Sequence, residues 1–399
     1  MRKFIYLCIA TCFSTLVIAQ EVVNNSFGNG FYNVIAADSS YSMKLAARMQ
    51  SLYIADWDVN ADGIHNGGSQ FLVRRARLKF GGFVFSPKVK YKLELGLSNK
   101  DLGKVDDRNN NAPKMILDAV VKWNFYKNFT LWAGQTKLPG NRERVVSSAN
   151  LQLVDRSLLN KRFNIDRDMG IQLRHHFTIG KNFIVQESLA VSQGEGRNVV
   201  QDNLGGYQWT SRIEVLPFGK FKGAYAGGAL KREETPKLAI GATYDYNNAV
   251  KNKSNQGSYM LIDDGEAYFQ TNVNSIFVDA MFKFQGFSFM AEYANRDSEN
   301  PIAMNSDGTE SGDVVQVGNG LNLMSGYLFN NDFEITGRYT SIALDKAITG
   351  KDLETQYTLG LSKYFKGHKL KVQSDVSYLT VENNGTSGLM YRMQFDLHF

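Results

Sequence analysis

Hydrophobic and polar side chains alternate along many segments of the chain. In "KVKYKLELGL", residues 88–97, the apolar Val89, Tyr91 and Leu93 occupy every second position, and lysines or a glutamate stand between them. Successive side chains on a β-strand point to opposite faces, so this spacing gives one apolar and one polar face. The pattern predicts strands rather than helices, which would repeat every 3.6 residues.

Sixteen such segments follow one another, and each predicts one strand. The connections after even-numbered strands are mostly short turns, whereas those after odd-numbered strands are mostly long and polar; residues 217–236 form the one long connection where a short one is expected. An even number of strands with short turns on one side and long loops on the other is typical of a bacterial outer-membrane barrel. The predicted strands are 43–55, 71–84, 87–98, 115–125, 129–138, 170–178, 182–192, 207–216, 237–247, 275–284, 287–296, 319–329, 332–343, 354–365, 368–380 and 388–399.

The second strand, "FLVRRARLKF" at residues 71–80, has an unusually cationic polar face. Alternation places Arg75, Arg77 and Lys79 on one face and the apolar residues Leu72, Ala76, Leu78 and Phe80 on the other. Arg74 breaks this pattern. On an outward face it would need to lie near the membrane surface, where a cation is tolerated, and we expect it to be an interfacial anchor.

The N-terminus predicts export. Arg2 and Lys3 precede a mostly apolar run to Ile18, and small residues end at Ala19, as at a signal peptidase site. Residues 1–19 are therefore interpreted as a cleaved signal peptide, 20–42 as a periplasmic N-terminal segment and 43–399 as the barrel. An uncleaved anchor and a lipoprotein site are the alternatives. Both cysteines, Cys8 and Cys12, lie within the signal, so the remaining chain has no disulfide.

Composition adds little to this picture. The formal net charge of +6 is too small to argue for nucleic acid as a partner, and export argues against it. A mean hydropathy of −0.30 resembles that of a soluble protein. Transmembrane barrels have such values as well, because half of each strand faces water.

The last strand alternates to the final residue. In "LMYRMQFDLHF" apolar side chains from Leu389 to Phe399 share one face, with Arg392 and Asp396 on the other. A terminal aromatic residue on such a strand resembles the signal by which the barrel assembly machinery takes up its substrates.

The chain resembles the phosphate-selective porin O and P family. The resemblance rests on "FLVRRARLKFGG", "LWAGQTKLPGNRERVVSS", "LVDRSLLNKRFNIDRDMGIQL" and "RIEVLPFG", in family order, and on the C-terminal strand. It implies a sixteen-stranded, usually trimeric pore in the outer membrane of a Gram-negative bacterium, embedded in outer-membrane lipid. It also implies a cationic lumen narrowed by the third long loop, and inorganic phosphate or a related small anion as the solute.

Candidate anion-binding residues follow from the cationic faces and from this loop. Arginine suits the role because its fork matches the oxygens of phosphate and its charge persists at any working pH. The wall candidates are Arg48, Arg75, Arg77, Lys79, Lys90, Lys92 and Lys122. The inward-folding loop 139–169 would add Lys137, Arg142, Arg144, Arg156, Arg162 and Arg167 as constriction residues. The carboxylates of Glu94, Asp118, Asp245 and Asp375 would dilute this charge or pair with it.

Other chemistry is weakly indicated. Asp56, Asp58, Asn60 and Asp62 in "DWDVNADG" are spaced like calcium ligands, but Ala61 occupies the sixth position, where that motif needs glycine, and no glutamate stands at the twelfth position. The histidines are dispersed, and no phosphate-binding loop or dinucleotide fingerprint appears. We therefore expect no metal, no cofactor and no enzyme activity.

The sequence thus predicts an all-β, anion-selective outer-membrane porin. Two alternatives stay open. One is a surface-binding barrel, an adhesin or receptor, whose lumen is closed and whose long outer loops bind a partner. The other is a soluble secreted β-protein.

Overall fold

Sixteen antiparallel strands close into a single barrel, as the sequence predicts. The computed structural model describes residues 21–22, 27–103, 107–200, 206–223, 226–254 and 258–399. The predicted signal peptide lies outside the described residues. The strands are β1 (Ser42–Asn60), β2 (Gly63–Val84), β3 (Ser86–Gly96), β4 (Ile116–Tyr126), β5 (Phe129–Lys137), β6 (Arg167–Ile179), β7 (Phe183–Ser192), β8 (Gln208–Leu216), β9 (Lys237–Val250), β10 (Thr271–Phe284), β11 (Phe287–Ser298), β12 (Gly318–Leu328), β13 (Phe333–Leu344), β14 (Glu354–Tyr364), β15 (Leu370–Val381) and β16 (Ser387–His398).

The barrel closes where the last strand pairs with the first. β16 lies antiparallel to β1, from His398 opposite Arg48 to Ser387 opposite Val59. Closure leaves no strand edge open, which a hydrocarbon environment requires because nothing there can bond an unpaired backbone group. The largest departure from the predicted strand limits is the first hairpin, in which residues 56–60 extend β1 and residues 63–70 extend β2, so that only a two-residue turn remains.

Alternation of side chains gives the barrel an apolar outer surface. On β10, Ile276 and Val278 point outward and are each 45% exposed, whereas Ser275, Phe277 and Asp279 are buried inside. Large apolar side chains are exposed in this way on every side of the barrel, which suits contact with lipid. No helix in the described part of the chain is long and apolar enough to cross a membrane.

The described part of the N-terminal segment lies at the barrel end opposite the long loops. A short strand, Tyr32–Ile35, pairs with the beginning of β1, where Tyr32 stands opposite Leu45. Glu21–Val22 adds a further pair to this strand. The segment therefore extends the sheet of β1 below the end of β16.

The outer loops carry short elements of their own. These are the helices α1 (Asn99–Leu102) and α4 (Lys346–Thr349), the 3-10 turns Asp107–Asn109 and Asp263–Gly265, and two small hairpins, Leu261–Ile262 with Ala267–Tyr268 and Ile302–Met304 with Glu310–Val314. Val250, Met260 and Val315 belong to a buried apolar cluster that packs the loops after β9, β11 and β13 together.

The connection between β5 and β6 folds into the barrel. It carries α2 (Arg142–Val145), the 3-10 turn Ser148–Asn150 and α3 (Leu158–Phe163). Leu159 and Phe163 of α3 pack in one buried cluster with wall residues that include Phe277 and Ile342. The residues between β5 and β6, 138–166, are called the inner loop below. Its apolar side chains dock on the β7–β13 side of the barrel.

The described part of the long connection 217–236 also enters the barrel, from the end that carries the short turns. Phe221 packs in a buried cluster with Leu151 of the inner loop. Lys283 of β10 donates hydrogen bonds to the carbonyls of Ala226 at 2.6 Å and Gly228 at 2.9 Å. A side chain at Gly228 would collide with Glu334, because its Cβ would lie 2.6 Å from Oε1. The inner loop and this connection together fill one side of the lumen.

Candidate functional site

A cavity of about 1100 Å³ remains between the inner loop and the wall formed mainly by β2–β6. Among the described residues, sixteen Lys and Arg side chains line it, against seven Asp and Glu side chains. A second cavity of about 370 Å³ near the short-turn end of β2 and β3 shares Lys92 and Lys122 with the first. The open space in the described barrel is therefore displaced to one side and is strongly cationic.

The wall presents its cations in adjacent rows. Each of them occupies a lumen-facing position of an alternating strand, so neighbouring strands place them side by side. Five of the wall candidates line the main cavity: Arg75, Arg77 and Lys79 of β2, Lys92 of β3 and Lys122 of β4.

The inner loop and the strand ends beside it add further cations to the cavity. Lys137, Arg144, Arg156 and Arg167 line the same cavity. Lys137 Nζ donates to the carbonyl of Arg144 at 2.7 Å, and Arg156 Nη2 donates to that of Val146 at 2.7 Å. Among the described residues, neither the Lys137 ammonium nor the Arg156 guanidinium forms an ion pair with a carboxylate within 4.0 Å. Burial lowers the pKa of Arg156 to about 10, so its guanidinium stays charged at neutral pH.

Acidic residues neutralise part of the cationic wall. Glu94 forms ion pairs with Arg77 at 3.2 Å and with Lys92 at 2.8 Å. Asp118 forms ion pairs with Lys92 at 2.8 Å and with Arg167 at 3.2 Å. Both carboxylates are buried, so each holds its cations in place. Two other acidic candidates lie elsewhere: Asp375 pairs with Arg392 at 2.7 Å, and Asp245 accepts hydrogen bonds from Gln208 and Thr210.

A β-bulge in β2 corrects the predicted position of Arg74. Arg75 stands opposite Gln50, but the next pair is Val73 opposite Ser51, so Arg74 is an extra residue in the ladder. Arg74 therefore does not anchor the barrel in lipid. Its side chain lines the cavity beside that of Arg75.

The same bulge reverses the faces of the strand before it. Phe71 and Val73 are 83% and 53% exposed on the lipid side. Leu72, predicted on the apolar outer face, stands opposite the buried Leu52, and the prediction for Leu72 was wrong.

Three predicted site residues form buried or partly buried ion pairs and do not line the cavity. Arg48 bonds Asp396 at 2.7 Å and Ser148 Oγ at 2.7 Å. The inner-loop residue Arg142 lies between Asp279 and Glu214 on the far wall, at 2.7 Å from each.

Arg162 pairs with Glu354 at 2.6 Å. These three arginines attach the inner loop to the wall, because buried charges are retained where an opposite charge compensates them. Lys90 lines only the smaller cavity.

Several cavity residues were not predicted. Lys100, Lys161, Arg174, Arg197, Arg338 and Arg392 all line it. Trp132 lies between two cations, with Lys122 Nζ at 3.6 Å and the Arg174 guanidinium carbon at 4.0 Å from its ring centre. Alternation on β6 and β13 would have identified Arg174 and Arg338, and Lys161 belongs to the loop 139–169 that was predicted to fold inward. Nothing in the sequence places the loop residues Lys100 and Arg197.

The calcium candidates lie on the first hairpin. Asp56 and Asp58 line the outer end of the cavity. Asn60 Oδ1 accepts a hydrogen bond from the backbone of Asp62 at 3.0 Å, within the turn. Among the described residues, no group of three or more His, Cys, Asp or Glu side chains is arranged to hold a metal ion.

Solved porin structures have a similar fold at low sequence identity. They include the outer membrane channel DcaP of Acinetobacter baumannii (TM-score 0.53, 11% identity, 91% of this chain and 99% of that chain). They also include an anion-selective porin from Comamonas acidovorans (0.51, 12%, 90% and 100%). A trimer form of OmpT from Vibrio cholerae is similar as well (0.50, 11%, 90% and 99%). No curated protein matches the chain.

The family comparison covers nearly the whole barrel. Residues 44–398 match the phosphate-selective porin O and P family, from the beginning of β1 to the end of β16. The match spans the inner loop, the connection 217–236 and the cationic wall alike. With its closed barrel of sixteen antiparallel strands, the chain belongs to the phosphate-selective porin O and P family of outer-membrane channel proteins.

Proposed function

We propose that this porin passes small anions and that inorganic phosphate or a related oxyanion is its favoured solute. The observation that carries the proposal is the cavity lining, in which sixteen cationic side chains stand against seven acidic ones. A cleft with one sign of charge and low-dielectric walls concentrates counter-ions. Such a cavity would therefore fill with anions and repel cations.

The arrangement of the cations favours passage over tight binding. Arg75 and Lys79 face the cavity from the wall, and Arg144 and Arg156 face it from the inner loop. An ion between the two sides can move from one weak site to the next, as conduction requires. Carboxylates beside these cations, such as Glu94 at 3.7 Å from Lys79 Nζ, weaken the binding of an anion at each site.

The preference for phosphate is the more specific part of the proposal. Guanidinium groups bind tetrahedral oxyanions through paired N–H donors, whereas chloride offers no such geometry. Arg74 and Arg75 are adjacent in the cavity, and the family to which the chain belongs is described as phosphate-selective. The structurally similar Comamonas porin is described as anion-selective.

Assembly and export belong to the same proposal. We propose a cleaved signal peptide, recognition of Phe399 by the barrel assembly machinery, and a homotrimer in the outer membrane. The similar fold of a trimer form of OmpT supports the last of these.

The surface-binding alternative finds support in the packed outer loops. Arg108 contacts Glu195 at 3.1 Å, and the outer apolar cluster covers one side of the barrel. Ion conductance distinguishes this alternative from a porin.

The test is the reversal potential in a planar bilayer under a gradient of potassium chloride, with phosphate then added. We expect an anion-selective current that millimolar phosphate reduces. The double variant Arg75→Gln, Arg77→Gln should lose much of this selectivity. The double variant Lys127→Gln, Lys181→Gln removes the same charge from exposed short turns and should behave like the parent.

Each other outcome has a separate meaning. An anion-selective current that ignores phosphate would leave a general anion porin and reject the solute. Cation selectivity would reject the proposal. A folded protein without current would favour the surface-binding barrel.

A further inference from the structure

The inner loop places a carboxylate of its own inside the cationic cavity. Asp155 Oδ2 lies 2.8 Å from Arg74 Nη2, and Oδ1 lies 3.1 Å from Arg75 Nη2. Arg338 Nη1 donates a hydrogen bond to the backbone carbonyl of Asp155 at 2.9 Å. Three arginines from two distant strands therefore converge on one loop residue.

This arrangement differs from the ion pairs that Arg142 makes on the far wall. The Asp155 side chain is 25% exposed and lines the cavity, whereas the carboxylates that bind Arg142 on the far wall are fully enclosed. Although burial would raise it, Arg75 and Arg74 hold the pKa of Asp155 well below its usual value. Asp155 is thus an ionised carboxylate within reach of any anion that enters the cavity.

The arginines around Asp155 have donors that it does not use. Within the described structure, the buried Nε atoms of Arg75 and Arg338 have no hydrogen-bond partner. A buried donor without a partner costs free energy, and a ligand with more acceptor oxygens than Asp155 would satisfy it. A tetrahedral oxyanion has such oxygens and could take the place of the carboxylate.

We propose that Asp155 is a tethered competitor that occupies an oxyanion site formed by Arg74, Arg75 and Arg338, and that a permeating oxyanion displaces it. This inference rests on the proposed anion selectivity and adds a residue that sets the affinity for the solute. The bound loop carboxylate keeps the site weak. An anion that replaces it is released when Asp155 returns, so the site does not trap its solute.

The expected effect follows from the occupied fraction of the site. If Asp155 fills the site in about nine of ten molecules, the apparent affinity for a free anion is reduced about ten-fold. The variant Asp155→Asn should therefore lower the phosphate concentration that half-blocks the chloride current by about ten-fold or more. The amide keeps the size of the side chain, so the loop is not shortened.

A matched control separates competition from bulk charge. Asp166 also lies on the inner loop, lines the same cavity and pairs with a different arginine, with Arg144 Nε at 2.6 Å from its Oδ1. The variant Asp166→Asn removes the same charge but leaves the Arg74 site unchanged. It should change the phosphate concentration that half-blocks the chloride current by less than about two-fold, because it does not remove the carboxylate that competes for the Arg74 site.

A second comparison does not depend on how Asp155→Asn folds. The chain has no cysteine outside residues 1–19, so Asp155→Cys gives one thiol in the barrel. The purified variant is treated with iodoacetate, which attaches a carboxylate, or with iodoacetamide, which attaches a neutral amide of similar size. The amide-labelled protein should be blocked at a lower phosphate concentration than the carboxylate-labelled protein.

The outcomes decide between the two proposals. If the parent is not anion-selective, the proposed function fails. If the parent is anion-selective but Asp155→Asn and Asp166→Asn shift the half-block equally, or neither shifts it, then Asp155 is not a competitor. Equal block of the two labelled samples would also overturn the inference.

Discussion

The attachment of the inner loop to the far wall gives a prediction whose size follows from burial. Arg142 at the start of α2 is 3% exposed and contacts Asp279 and Glu214, each at 2.7 Å. Arg212 contacts the same two carboxylates, at 2.6 Å and 2.8 Å. Two buried cations thus balance two buried carboxylates, and replacing Arg142 by methionine leaves one negative charge uncompensated.

The cost of that imbalance is about 3–5 kcal/mol, the range found when one partner of a buried pair is removed. Every 1.4 kcal/mol is a factor of ten in an equilibrium, so the population in which α2 leaves the wall should rise more than a hundred-fold. Arg162→Met is the matched control. Arg162 also joins the inner loop to the wall, but it is 27% exposed, and such a pair contributes about 1 kcal/mol or less.

The assay is single-channel recording together with liposome swelling in neutral sugars of increasing size. Arg142→Met should show larger and noisier conductance and admit larger sugars, because the inner loop no longer stays against the far wall. Arg162→Met should resemble the parent. Refutation would be a folded Arg142→Met channel with the conductance and size limit of the parent, or two variants with equal effects.

Three further predictions concern packing and pH. Phe163→Ala should destabilise the protein by about 3–5 kcal/mol, because Phe163 is buried at 1% exposure, and an unchanged unfolding midpoint in urea would contradict this. Gly228→Val should displace the connection 217–236 and raise the conductance, because a Cβ at Gly228 would lie 2.6 Å from Glu334 Oε1. Gly385→Val is the control and should leave the conductance unchanged, because a Cβ at Gly385 would have no other atom within 4 Å. The pKa of Asp155 in the folded protein lies well below the value of about 3.9 for an unfolded chain. Its pairing with Arg74 and Arg75 therefore persists until the pH falls through that low folded-state pKa. Chloride conductance measured from pH 7 to about pH 4 should therefore show no step from loss of this pairing, and a step near pH 5 would argue against it.

The strands could be predicted from the sequence because one physical rule governs nearly all of them. Each crosses from water to water with one face toward lipid, so period-two alternation marks it directly. At Arg74 the prediction missed a β-bulge that the alternation pattern contains. The apolar positions before it are Phe71 and Val73, and those after it are Ala76 and Leu78, so the alternation changes phase at Arg74.

The loop contacts could not be predicted in this way. Asp155 meets Arg338, 183 residues away, only because both chain segments enter the same lumen. The sequence around Asp155 has no periodicity that would orient its side chain. Arg142 and Arg162 were predicted as constriction residues for the same reason. The local sequence does not distinguish a loop cation that pairs with a wall carboxylate from one that faces water.

The position of the open cavity depends on which strands carry apolar instead of polar side chains on the face toward the lumen. On β10 the lumen side includes the apolar Phe277 and Met281, and the lipid side is apolar as well. Both faces of this strand therefore need an apolar environment, which lipid provides on one side and the inner loop on the other. Met290 of β11 and Met324 of β12 repeat the pattern, and the inner loop and Phe221 cover these residues. On β2–β4 most lumen positions are charged, and the open cavity lies against them. The open space therefore lies on the cationic side of the barrel. Under the proposed function, selectivity depends on the charges of that wall and of the facing inner loop rather than on the net charge of +6 of the whole chain.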